Sequence, residues 1–214
     1  MHLLHLASPA LPIGAYAYSQ GLEQAIEEMG IRGSQLESWL NDGLQLGLAH
    51  LELPVIRRVF DAAACEDWQR LNEWNDTVLA FRETEELLLE DQQLGLALAR
   101  LLRNATQFRQ PELTQSPSYS VMFALAAYWW SISVESTCHA FCYSWLENQI
   151  TAATKLVPLG QTEAQRMLLA MLNRIPEACE HAWRIDDEDL GLNLPGLALA
   201  SARHEYQHTR LFRS

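Results

Sequence analysis

Lysine is almost missing from this chain of 214 residues: its fifteen cations are fourteen Arg and the single Lys155, set against twenty-seven acids for a formal charge of −12. Without a basic stripe to neutralise a phosphate backbone, nucleic acid is excluded as the expected partner. The same shortage leaves no cationic helix face for an anionic membrane surface. A long apolar run is lacking as well. The longest, Val121 to Val134, carries Ser131 and Ser133 and falls short of the roughly 18 residues that a membrane span requires. No basic stretch precedes Ser8-Pro9 in Met1-His2-Leu3-Leu4-His5, so a signal peptide is not expected and the chain is placed in the cytoplasm. The four cysteines, Cys65, Cys138, Cys142 and Cys179, are too sparse for a disulfide scaffold and read as free thiols in a reducing compartment. Glycine is scarce, and β-branched residues never alternate with polar ones over strand length, which removes the usual signs of a sheet. Two catalytic signatures are absent: there is no G-x-x-x-x-G-K-[ST] phosphate loop and no G-x-S-x-G elbow.

What is present is apolar and helical. Apolar residues make up 49% of the chain, with seven Trp, too much for a disordered protein. From Ser34, an expected N-cap, Leu36, Trp39, Leu40, Leu44, Leu46 and Leu48 follow one side of a helix that Pro54 should interrupt. Val55 to Ala64 and Trp68 to Phe81 read as two more helices. Glu83 to Leu102 begins with acids and ends with Arg100 and Arg103, complementing the helix dipole, and Leu87, Leu94, Leu98 and Leu101 supply its buried stripe. Asn104 to Ser118, with Pro111 and Pro117, is the longest expected loop. Helices over Ser118 to Ile132 and Val134 to Leu156 should form the centre, the second with Cys138, Phe141, Trp145 and Val157 on its apolar face. Gly160 to Ile175, Pro176 to Arg184 and a segment opened by Pro195 complete an all-α, single-domain bundle of about eight to ten helices over residues 1–214. No internal repeat or flexible linker divides it.

One catalytic motif does occur: His204-Glu205-Tyr206-Gln207-His208 is a literal H-E-x-x-H, which on a helix would give a zinc metallopeptidase two imidazoles and a general base. Three fixed positions make a weak signal, and the six residues after His208 include no His, Asp, Glu or Cys to complete the zinc ligands. A transient nickel site at His204 and His208, or at His2 and His5, would be weak with so few ligands. Cys138 and Cys142, flanking His139, fit core filling better than a structural metal site, which wants four ligands. No metal ligand, cofactor or catalytic residue is assigned.

Four blocks are more specific. The first runs through Pro12, Gly14, Tyr16, Ser19, Gly21, Leu22 and Glu23, where Pro9 and Pro12 fix an extended entry and Gly14 permits a turn before a helix. The others are Arg82-Glu83-Thr84-Glu85-Glu86, Lys155-Leu156-Val157-Pro158-Leu159-Gly160-Gln161, and a tail from Ala200 through Arg203, His204 and Glu205 to Arg210-Leu211-Phe212-Arg213-Ser214. In order and spacing they resemble the urease accessory protein UreF family. The resemblance implies an all-helical, dimeric, non-catalytic maturation factor. It would bridge the accessory protein UreD (UreH) and the GTPase UreG in GTP-dependent nickel insertion into apo-urease. Family members usually carry an aromatic residue near His208, which makes the H-E-x-x-H an accident, and often a few more residues before Leu3-Leu4. Their first block leads into a long helix. The resemblance places partner-binding residues at Tyr16, Ser19, Glu23, Arg82, Glu83, Lys155, Gln161, Arg203, Glu205, Arg210, Phe212 and Arg213. UreG contacts are expected around Glu23 and Lys155, and UreD contacts on residues 198–214. Arg and aromatic residues suit a docking tail, while Phe212 could equally pack on its own core.

Overall fold

The computed structural model describes all 214 residues and contains no strand. Nine helices of eight residues or more are joined by two short ones, α1 (His2–Leu6) and α2 (Leu22–Glu27). The longer helices are α3 (Ser34–Asp42), α4 (Glu52–Ala64), α5 (Trp68–Ala80), α6 (Glu85–Ala105), α7 (Tyr119–Trp129), α8 (Val134–Leu156), α9 (Gln161–Leu172), α10 (Ile175–Ala182) and α11 (Pro195–His204).

Every residue of α7 from Ser120 to Ala127 is buried, as expected of a helix apolar on all sides. It is wedged against α4, α6 and α8, and α8 in turn carries α9, α10 and α2 on its other flanks. Fifty-six buried apolar residues form one contiguous core, including Cys138, Cys142 and Cys179. Burial pushes the Cys138 thiol above its ordinary range, and a hydrogen bond with Cys179 followed by burial does the same at Cys142. Buried protonated thiols are inert filling. All four cysteines are free. No helix is long and apolar enough to cross a membrane.

Helix starts follow side-chain capping. Asp67 accepts the Arg70 N–H at 3.0 Å, Thr84 that of Leu87 at 3.2 Å, and Ser133 that of Ser136 at 3.2 Å, each relieving an orphan donor of a first turn. The expected helix from Ser34 to Pro54 is corrected: α3 stops at Asp42, a widened turn spans Gly43–Gly47, and a tighter one spans Leu48–His50. Two poor helix formers, Gly43 and Gly47, loosen the ladder there. Pro54 interrupts nothing, because it lies in the first turn of α4, where a missing N–H costs no helical bond. Ser34 caps nothing either; Gly33 precedes the helix and no side chain bonds its first turn. The loop is real but held. Asn75 donates to the Ser116 carbonyl at 3.2 Å and accepts from the Ser118 N–H at 2.8 Å.

The first signature block does not lead into a long helix, since α2 has only six residues. It is short because Gln20 and Gly21 both turn left-handed, at φ 55° and 75°, before it, and it ends at the Gly30 turn. A Cβ at Gly21 would stand 2.9 Å from the Ser201 backbone nitrogen, so glycine serves both the dihedral and the close crossing of α2 and α11.

Candidate functional site

α2 and α11 pack together, and past α11 the chain folds back over α2 instead of leaving the surface. Glu23, 2% exposed, is the anchor. Its carboxylate accepts the backbone N–H groups of Leu211 at 2.7 Å and Phe212 at 2.9 Å. Ser19 donates both its hydroxyl, at 2.6 Å, and its N–H, at 2.7 Å, to the Ser214 oxygen. The Arg213 N–H reaches the Ala17 carbonyl at 2.7 Å, and Phe212 is buried in the core. Residues 211–214 are thus fixed by the first signature block, and Lys155 closes the arrangement. Its ammonium lies 5.4 Å from the Phe212 ring centre and 6.0 Å from that of Tyr16, within reach of a cation–π attraction. Tyr16 stays partly exposed, and burial, then Glu147 and Tyr143, raises its pKa.

His204 completes the clamp. Its ring is fully buried, with Nδ1 2.6 Å from Glu86 and Nε2 3.2 Å from Glu23. Arg210 pairs with the other oxygen of Glu86 at 2.5 Å. Both imidazole nitrogens are engaged by carboxylates, and α11 ends at His204, so Glu205 and the exposed His208 lie beyond the helix. The helical face that an H-E-x-x-H zinc site requires does not form. The nearby Arg203 pairs with Glu28 at 3.3 Å on the surface. At the other end of the chain, the His2 ring stacks on Trp130 at 4.7 Å.

A cavity of about 340 Å³ is lined by apolar residues of 6–13 together with Glu52, Arg82, Glu90, Asp91 and Tyr119, and shares Tyr16, Gln20 and Glu90 with the surroundings of the clamp. Arg82 spans Glu52 at 2.7 Å and Asp91 at 3.1 Å. Burial opposes its charge, but Asp91 and Glu52 together hold its pKa above the ordinary value. Asp91 also accepts the Tyr119 N–H at 2.8 Å and the Ser118 hydroxyl at 3.2 Å, which ties α6 to the start of α7. Glu90 accepts from Gln20 at 2.8 Å and from the Ser214 hydroxyl at 2.5 Å. Burial pushes its carboxyl up to about 7, against those two hydrogen bonds and the charge of Arg82, with Asp91 adding to the rise. Gln20 in turn accepts the Trp145 indole N–H at 2.7 Å. Glu83 sits exposed at the rim, and partial burial raises its pKa.

Of the residues singled out in sequence, Tyr16, Ser19, Glu23, Lys155, Arg210, Phe212 and Arg213 therefore meet around the folded-back tail, and Arg82 lies one layer beneath. Gln161 opens α9 on the surface, and no hydrogen bond or ion pair joins it to the cluster. Glu205 is half-buried at the end of α11. Gln20, Glu86, Glu90, Asp91, His204 and Ser214 are as central as any of these, but the site reading did not include them.

The UreF family model matches residues 32–172. Proteins named urease accessory protein UreF are similar along the whole chain. That of Teredinibacter turnerae is 51% identical, the alignment covering 100% of this chain and 98% of that protein. That of Chromohalobacter salexigens is 50% identical over 99% and 93%, and that of Hahella chejuensis 44% identical over 100% and 97%.

Proposed function

The chain belongs to the urease accessory protein UreF family, and from that premise we propose that it is a cytoplasmic, non-catalytic maturation factor that joins UreD (UreH) to the GTPase UreG. In that role it governs GTP-dependent nickel insertion into apo-urease, which it reaches through the complex, and it works as a homodimer. One observation carries this assignment to the site: two blocks remote in sequence, 16–23 and 210–214, are locked together by hydrogen bonds, Lys155 lies over the Phe212 and Tyr16 rings beside them, and Lys155, Arg210, Leu211 and Arg213 remain exposed. Buried polar bonds fix the backbone, and what they hold outward is two Arg, a Lys and a 61% exposed Leu. That composition, an apolar centre rimmed with Arg, suits a protein interface better than a small-molecule site.

The anchoring changes how a docking tail has to be tested. Deleting residues 210–214 would strip Phe212 from the core and leave Glu23 without its backbone donors, so loss of a partner could follow from loss of fold. Substituting only outward side chains separates the two. Leu211→Asp with Arg213→Glu leaves every bond of the clamp in place; co-expressed with UreD and UreG and resolved by size exclusion, it is expected to lose UreD while keeping its helical content. Lys155→Ala is expected to keep UreD and weaken recruitment of UreG. A ternary complex unchanged by both would reject this surface.

A further inference from the structure

His50 ends the tight turn of Leu48–His50, and His181 lies in the last turn of α10. Their Nε2 atoms are 3.2 Å apart, their ring centres 4.7 Å apart and their planes inclined at 53°. We propose that this pair is a binding site for a divalent transition-metal ion of the zinc class.

The distances carry it. Two imidazole nitrogens bound to one tetrahedral ion at about 2.05 Å stand roughly 3.3 Å apart, with ring centres about 5 Å apart. A head-on hydrogen bond between the same two atoms would hold the ring centres at about 5.5 Å. The observed ring-centre separation of 4.7 Å is nearer to the ion-bridged value than to the head-on one, and the two nitrogens stand 3.2 Å apart, as two ligands of one ion would. His50 Nδ1 is buried with no hydrogen-bond partner, and the backbone of Gln45 and Leu46 lies beside the ring.

Both supports are held independently of the rings. The His50 carbonyl accepts the Gly191 N–H at 2.9 Å, and the Gln45 side chain donates to the Arg174 carbonyl at 3.0 Å. Both imidazoles are half-buried, which leaves solvent access for the rest of a coordination sphere. No group of three or more His, Cys, Asp or Glu suited to a metal exists in the protein, so water fills the other positions. The ion is exchangeable, and its site is distinct from the clamp and from the H-E-x-x-H stretch.

Zinc ion alone, titrated calorimetrically near neutral pH into full-length protein carrying Cys65→Ser to silence the exposed thiol, is the test. One ion per chain is expected, with affinity about tenfold or more weaker in both His50→Ala and His181→Ala. His139→Ala and His208→Ala should retain the parent value. No binding by the parent, or equal binding by His181→Ala, overturns the site. Should His50→Ala fail the helical-content check by circular dichroism, the half-exposed His181 position decides alone, through His181→Ala and His181→Gln together. A normal fold with undiminished zinc binding in those two is the refuting result.

Discussion

Glu90→Gln should stabilise the fold at alkaline pH and lose most of that advantage as the pH falls towards 5.5. In the folded protein the Glu90 carboxyl rises from the ordinary 4.5 to about 7, because burial penalises the anion more than Ser214, Gln20 and Arg82 favour it. The fold therefore holds that proton more tightly than the unfolded chain. Below about pH 4.5 both states are protonated and Glu90 costs nothing. As pH rises towards 7 the unfolded chain gives up its proton first, and stability falls. Above 7 the full penalty applies, roughly 3 kcal/mol at about 1.4 kcal/mol for each pH unit separating the two values. Glutamine cannot ionise, so it removes this term. It keeps one acceptor oxygen where the carboxylate had two, leaving either the Ser214 hydroxyl or the Gln20 amide unpaired at a cost of about 1 kcal/mol. The variant should then be more stable than the parent by about 2 kcal/mol at pH 8, the advantage shrinking to a few tenths of a kcal/mol near pH 5.5. Urea denaturation at a series of pH values, followed by the fluorescence of the seven Trp, measures it. A difference between variant and parent that stays constant from pH 5.5 to 8 would show that Glu90 is not a penalised anion.

Two further outcomes concern the clamp and the close approach behind it. Glu23→Ala removes the acceptor of the Leu211 and Phe212 N–H groups; leaving one buried and one partly buried donor unpaired should cost about 2 kcal/mol or more. It should also speed hydrogen exchange at those two amides, and unchanged protection there would mean that the carboxylate does not hold the tail. Gly95→Ala would set a Cβ 2.0 Å from the Pro117 carbonyl oxygen, backbone that cannot swing aside, so a loss of about 3 kcal/mol is expected. A thermal midpoint within a degree of the parent would contradict that packing.

How far the site could be read from sequence depends on what fixes each part. Local patterns placed α5, α7 and α8 to within a few residues, since their stripes and caps need only neighbours in the chain. They failed over 34–54, where a widened turn keeps the leucines nearly in phase: Leu36, Leu40, Leu44 and Leu48 are all buried, as a continuous helix would also make them. Resemblance named the blocks at 12–23, 82–86, 155–161 and 200–214, and the fold brings most of them together through bonds such as Leu211 to Glu23, 188 residues apart. No periodicity encodes those. The acids of α6 are a different case, because a signal was present. Glu90 and Asp91 fall between Leu87 and Leu94 at helical spacing, on the stripe that Leu98 continues, and both are buried. An ionisable group on an apolar stripe must find partners or lose its charge. Here Asp91 takes the first course through Arg82, Ser118 and Tyr119, and Glu90 goes some way along the second, with a carboxyl near 7. The misplaced acids therefore mark the layer on which the tail closes before any partner is known, and the one tail residue that Glu90 binds directly is Ser214.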